Sequence, residues 1–187
     1  MAVRHAAGGQ INMRLSITFG LLAGLAVGAG SGDRPIDEYQ LKAAFLFNFA
    51  KFVEWPQQSF KSPADPVNIC VFGSNPFGRS LEDAVNGKSV EGRKFAVRQI
   101  ADANQVSGCQ MVFIPSAQRK RGAELTISGV LTVGESEGFA ASGGVIGFKL
   151  EGGKIKLEIN VDAAEQRKLR ISSKLLSLAQ IIRTQGN

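Results

Sequence analysis

The sequence predicts a single three-layer α/β domain, built on a mostly parallel mixed β-sheet flanked by helices and ending in a C-terminal β-hairpin. Three observations predict it. Short apolar runs alternate with amphipathic segments along the chain, the pattern of an α/β layer domain. The first four runs are nearly continuous in apolar residues, as parallel strands covered on both faces are. The last two alternate apolar with charged residues or glycine, as an antiparallel pair with one wet face does.

The first element is a helix over residues 39–56. Leu41, Phe45, Asn48/Phe49 and Phe52/Val53 follow helical spacing, and Ala44, Leu46, Phe47 and Ala50 widen the stripe. A helix this apolar should be buried against a large sheet. Asp37 stands as its N-cap, and Trp55-Pro56 ends it, because the residue before a proline is pushed out of the helical region. Strands are expected at 67–72, 95–100, 110–114, 130–133, 145–150 and 154–160, the last two joined around Glu151-Gly152-Gly153. Further helices are expected at about 79–85, near Asn104, and at 117–127, 162–168 and 173–184.

The N-terminus has the layout of a secretory signal. Arg4 and Arg14 precede an apolar, glycine- and alanine-rich run from Leu15 to about Ala29, followed by Gly30-Ser31-Gly32. Residues 1–30 are therefore expected to be a signal peptide, with cleavage between about Ala29 and Asp33, and residues 31–187 the working domain. The run is short and glycine-rich for a span, which needs about 20 mainly apolar residues. Met13, just before Arg14, offers a second start that leaves a compact signal.

Export changes the available chemistry. His5 is the only histidine and leaves with the signal, so Ser-His-Asp, Cys-His and histidine-containing zinc sites are excluded. No catalytic residue, cofactor or metal site is expected. Without Arg4 and Arg14 the chain is mildly basic, not a nucleic-acid-binding field. Cys70 and Cys109 meet oxidising conditions and flank two core strands, which favours a disulfide, with two buried thiols as the alternative.

The opening Tyr39-x-x-Lys42-Ala-Ala-Phe-Leu-x-Asn48-Phe-Ala-Lys-Phe-Val-x-Trp55-Pro56 is followed by a strand leading into Asn75-Pro76-Phe77-Gly78. Gly87-Lys88 with Gly92-Arg93, then 143–148 (GGVIGF), Glu158-Ile159-Asn160 and 169–179 (LRISSKLLSLA) come in the same order. From Tyr39 to the C-terminus the chain resembles the YfiR-like family of periplasmic proteins. The resemblance implies a regulator that represses an inner-membrane diguanylate cyclase through its periplasmic sensor domain, lowering cyclic di-GMP and biofilm formation. In some relatives an outer-membrane lipoprotein withdraws the regulator, and others serve membrane histidine kinases. Better-known relatives carry a second cysteine pair that this chain lacks. Neither an enzyme nor a nucleic-acid binder is expected; a homodimer is left open.

Four places compete as sites. Gly73-Ser74-Asn75-Pro76-Phe77-Gly78-Arg79-Ser80 resembles a phosphate-binding loop but has arginine for its lysine, and Pro76 removes an amide; it reads as a strand-to-helix turn able to take a small anion. Glu135 and Glu137 sit in a glycine-rich loop after a strand, where ligands of α/β sheets bind; they offer a pair of carboxylates for acid-base work, but with no other acid-base context in the sequence they read as a solvated loop. Arg119-Lys120-Arg121 reads as the wet face of a helix. The C-terminal segments place Phe148, Glu158 and Ile171 as partner-binding residues, Glu158 on the wet face of the hairpin. The runner-up function is a periplasmic small-molecule sensor using the Gly73–Gly78 turn and the Gly134–Gly144 loop.

Overall fold

The computed structural model describes residues 37–122, 125 and 127–184; the signal segment and its expected cleavage region lie outside the described residues. The first helix, α1, runs Glu38–Phe52. Asp37 caps it, its carboxylate accepting from the Tyr39 amide at 3.1 Å. The buried stripe is Lys42, Ala43, Leu46, Phe49 and Ala50, one position on from the expected one, so Leu41 and Ala44 face outward. The helix also ends before Trp55. Val53–Glu54 is a short strand, β1, paired antiparallel with β9, Arg170–Ile171. The Trp55 indole then donates to the Gln110 carbonyl at 2.9 Å, tying the chain to the sheet.

The main sheet has eight strands in the order β10-β8-β7-β6-β5-β2-β4-β3. Strands β2 (Val67–Phe72), β4 (Arg93–Ile100), β5 (Met111–Ile114), β6 (Leu131–Gly134) and β7 (Ile146–Glu151) run parallel, β2 lying between β4 and β5. β8, Lys154–Asn160, returns antiparallel to β7 through Gly152 and Gly153. Both glycines have positive φ, the backbone a tight hairpin turn needs. The predicted α/β class, parallel core and C-terminal hairpin are all present. β3, Ser89–Val90, was not expected; it folds onto β4 through Glu91-Gly92, again at positive φ.

Period two divides the core. Val67, Ile69 and Val71 of β2 with Met111 and Phe113 of β5 face α1; Cys70 and Phe72 with Val112 and Ile114 form a second buried cluster with Leu125, Val130 and Phe139. Short 3-10 turns and loops cover much of this second cluster. The expected helix at 117–127 is a 3-10 turn, Ser116–Gln118, leading into α3, Arg119–Gly122, with part of its remainder outside the described residues. α2 is Ser80–Val85 and α4 is Val161–Gln166.

The predicted helix at 173–184 is corrected. Only α5, Ser173–Leu176, is helical; Ala179–Ile182 is strand β10, parallel to β8. The outer edge of β8 has backbone groups to satisfy, and a parallel strand supplies partners where a helix could not. Leu178, between α5 and β10, is 73% exposed. Among the described residues no helix is long and apolar enough to cross a membrane.

Candidate functional site

Two constellations lie at the ends of the parallel strands, on opposite faces of the sheet. The first joins α1 to the loop after β6. Lys42 is buried, and its ammonium lies 2.5 Å from Glu135 and 2.5 Å from Glu38. The Glu135 carboxylate also accepts from the Tyr39 hydroxyl at 3.3 Å and the Ser116 amide at 3.1 Å. Burial alone would depress the Lys42 ammonium, but its hydrogen bonds to Glu135 and Glu38 outweigh that and hold its pKa above the ordinary value. Burial, then the negative charge of Glu135, raises that of Tyr39.

Glu135 is therefore corrected. It is a buried partner of Lys42, with a side chain 6% exposed, while Glu137 is exposed. The two carboxylates do not form an acid-base pair. The residue that sequence reasoning missed is Lys42. Its signal was legible: a lysine at the spacing of Tyr39, Leu46 and Phe49 falls on the face the helix buries, where a charge needs a partner.

The second constellation lines a cavity of about 400 Å³ behind the second cluster, walled by Leu125, Thr132 and Phe139, with Gly143-Gly144 and Arg167 alongside and Arg119 and Lys120 beside it. The glycine-rich loop exists to hold Phe139. A Cβ at Gly134 would meet its ring at 2.4 Å, and one at Gly144 at 2.0 Å, so the ring is seated between two bare backbones. Asn160, wholly buried, caps α4 by accepting from the Ala163 amide at 2.9 Å and donates to the Ala140 carbonyl at 2.8 Å, pinning the same loop. Thr132 accepts from the Val145 amide at 3.1 Å.

Arg167, which follows α4, is 4% exposed. It donates to the carbonyls of Ala163 at 3.0 Å, Gly143 at 3.0 Å and Leu125 at 3.3 Å, while its Nε–H has no acceptor. Among the described residues no carboxylate pairs with it. Burial lowers its pKa, but a guanidinium keeps its charge.

The remaining expected sites are dispersed. In the Gly73–Arg79 turn the Gly73 amide donates to Ile100, the Phe77 amide to the Asn75 side chain, and the Ser80 amide to Phe77. Phe77 plugs the core, and Ser74, Gly78 and Arg79 are exposed. Arg119 and Lys120 are exposed as expected. Phe148 is 4% exposed and its ring lies 5.8 Å from Phe45 and 5.9 Å from Phe49, inside the core. Glu158 pairs with Gly147 and Gln180, on the sheet face away from Phe148; its side chain is 14% exposed, so the face expected to be wet is largely covered there. Ile171 is half-buried in the β1–β9 ribbon. These three residues do not share one surface. Cys70 and Cys109 are joined by a disulfide within the second cluster.

An α/β domain with a solvent-open, mainly apolar cavity at its strand ends, and a buried ion pair on the other sheet face, has the geometry in which ligands of such sheets are held. The YfiR/HmsC-like family model matches residues 39–180, and the chain belongs to that family. No curated protein gives a significant match.

Proposed function

We propose that this protein is a periplasmic regulator that represses an inner-membrane diguanylate cyclase by binding its periplasmic sensor domain. The observation that carries the reading is the family match over residues 39–180, which covers every strand of the sheet up to the first two residues of β10. The signal layout at the N-terminus supports export, and binding rather than catalysis is the activity proposed.

The contact surface we propose is the β10 edge of the sheet. Among the described residues β10 has a strand on one side only, so its other side offers N–H and C=O groups for strand addition. Apolar side chains continue past the core toward that edge. Ile181 stands beside Ile159 on the α1 side of the sheet and is 42% exposed; Leu150, opposite Ile155 at the end of the hairpin, is 61% exposed. Exposed apolar groups concentrated at one end of a domain mark an interaction site. Glu158 lies beside the same edge on the other face and is its polar flank, whereas Phe148 supports the surface from within.

Ile181→Lys with Leu150→Glu should leave folding within about 0.5 kcal/mol, as surface changes do, and weaken binding to the client's periplasmic domain at least about tenfold. In the cell the same variant, like deletion of the gene, should raise cyclic di-GMP. Unchanged affinity removes the edge from the proposal and turns the test to Glu158→Arg on the opposite face. Unchanged cyclic di-GMP on deletion overturns the cyclase itself.

A further inference from the structure

The cavity behind Phe139 has a composition that the regulator reading does not use. Its size suits a small molecule, for which pockets of about 300–1,000 Å³ are usual. Its walls are mainly apolar, with Leu125 and Phe139 both at least nine-tenths buried. Beside them is a buried guanidinium that has, among the described residues, three backbone carbonyls for partners, one N–H without an acceptor, and no carboxylate. A buried charge is ordinarily compensated by an opposite charge, and carbonyl dipoles supply only part of that. Arg119 and Lys120, exposed beside the cavity, add positive potential to the approach.

We propose that this cavity binds a small organic carboxylate, with its acid group against the Arg167 guanidinium and its apolar body on Phe139 and Leu125. The carboxylate supplies the countercharge that Arg167 lacks among the described residues, and the ring held between Gly134 and Gly144 provides a fixed apolar wall. The site is built from α4, β6 and the Gly134–Gly144 loop, on the sheet face away from the Phe148 side. It is thus separate from the proposed client edge, and failure of either leaves the other standing.

The test uses the secreted protein and three probes at fixed pH and ionic strength: phenylacetate, its neutral match phenylacetamide, and inorganic phosphate. Phenylacetate should raise the melting temperature saturably and shift the amide resonances of Phe139, Gly143 and Gly144. Phenylacetamide should bind about tenfold or more weakly, because only the acid makes a charge-assisted pair. Phosphate alone should not saturate. Ser142→Trp, placed on an exposed residue at the cavity rim, should fold normally and lose the response; Arg119→Ser with Lys120→Ser should weaken it and flatten its salt dependence. Equal binding of acid and amide would make Arg167 a strut for three carbonyls only and overturn the proposal. So would saturation by phosphate alone, a response that survives Ser142→Trp, or no saturable response to phenylacetate.

Discussion

Lys42→Met should be the most damaging single substitution on α1. It removes the ammonium 2.5 Å from Glu135 and leaves that carboxylate, 6% exposed, with neutral donors only, the Tyr39 hydroxyl and the Ser116 amide and hydroxyl. Breaking a buried pair from one side costs about 3–5 kcal/mol. The surviving donors offset part of this, which puts the loss at about 3 kcal/mol. The arm to Glu38, whose side chain is 46% exposed, adds only about 0.3–0.5 kcal/mol. For a domain of this size a loss of about 3 kcal/mol lowers the melting temperature by roughly 6–12 °C. Glu135→Met combined with Lys42→Met removes both charges, and stability should recover most of the way to the parent, since apolar replacement of a buried pair is commonly neutral. Denaturant unfolding followed by Trp55, the only tryptophan, measures Lys42→Met, Glu135→Met and the double variant; its indole bond to Gln110 is lost on unfolding. Additive effects in the double variant, or a loss below about 1 kcal/mol for Lys42→Met, would refute the claim that the pair acts as a unit.

The same network predicts alkaline sensitivity. The folded-state pKa values of Lys42 and Tyr39 are both raised, so the folded state holds these protons more tightly; their contribution is complete below about pH 10 and is lost as pH rises through the folded values. Denaturant midpoints from pH 8 to 11 should fall for the parent, and fall less for Lys42→Met. The disulfide closes a separation of 39 residues, worth about 4 kcal/mol in the chain-entropy model. Denatured, unreduced protein should label no free thiol, and Cys70→Ala with Cys109→Ala should melt roughly 8–16 °C lower.

What the sequence disclosed and what it hid follow from the range of the forces involved. Strand boundaries at Val67–Phe72 and Lys154–Asn160 were legible because apolar runs and period-two alternation are local signals of burial. The strand Ala179–Ile182 was not, because its four residues suit a helix as well, and only the open edge of β8, distant in sequence from most of the sheet, selects the extended form. Glu158 shows the same limit. Alternation assigned it correctly to the face opposite Leu157 and Ile159, but how wet that face is depends on β10 and on Ala140, which approaches Gly147. Of the candidate residues, Glu135 was found for the wrong reason: a carboxylate in a glycine-rich loop reads as solvated until α1 brings Lys42 across 93 residues to meet it. Arg167 carried no signal, since a lone arginine after a short helix is ordinarily exposed. Its burial rests on the carbonyls of Gly143 and Leu125, which are far from it in sequence and turn inward to accept from it. The glycines therefore mark the cavity more reliably than the charged residues do: a glycine whose added Cβ would collide with an aromatic ring identifies a position where the backbone itself is the wall, and that requirement is visible in the residue type, whereas the burial of a cation is not.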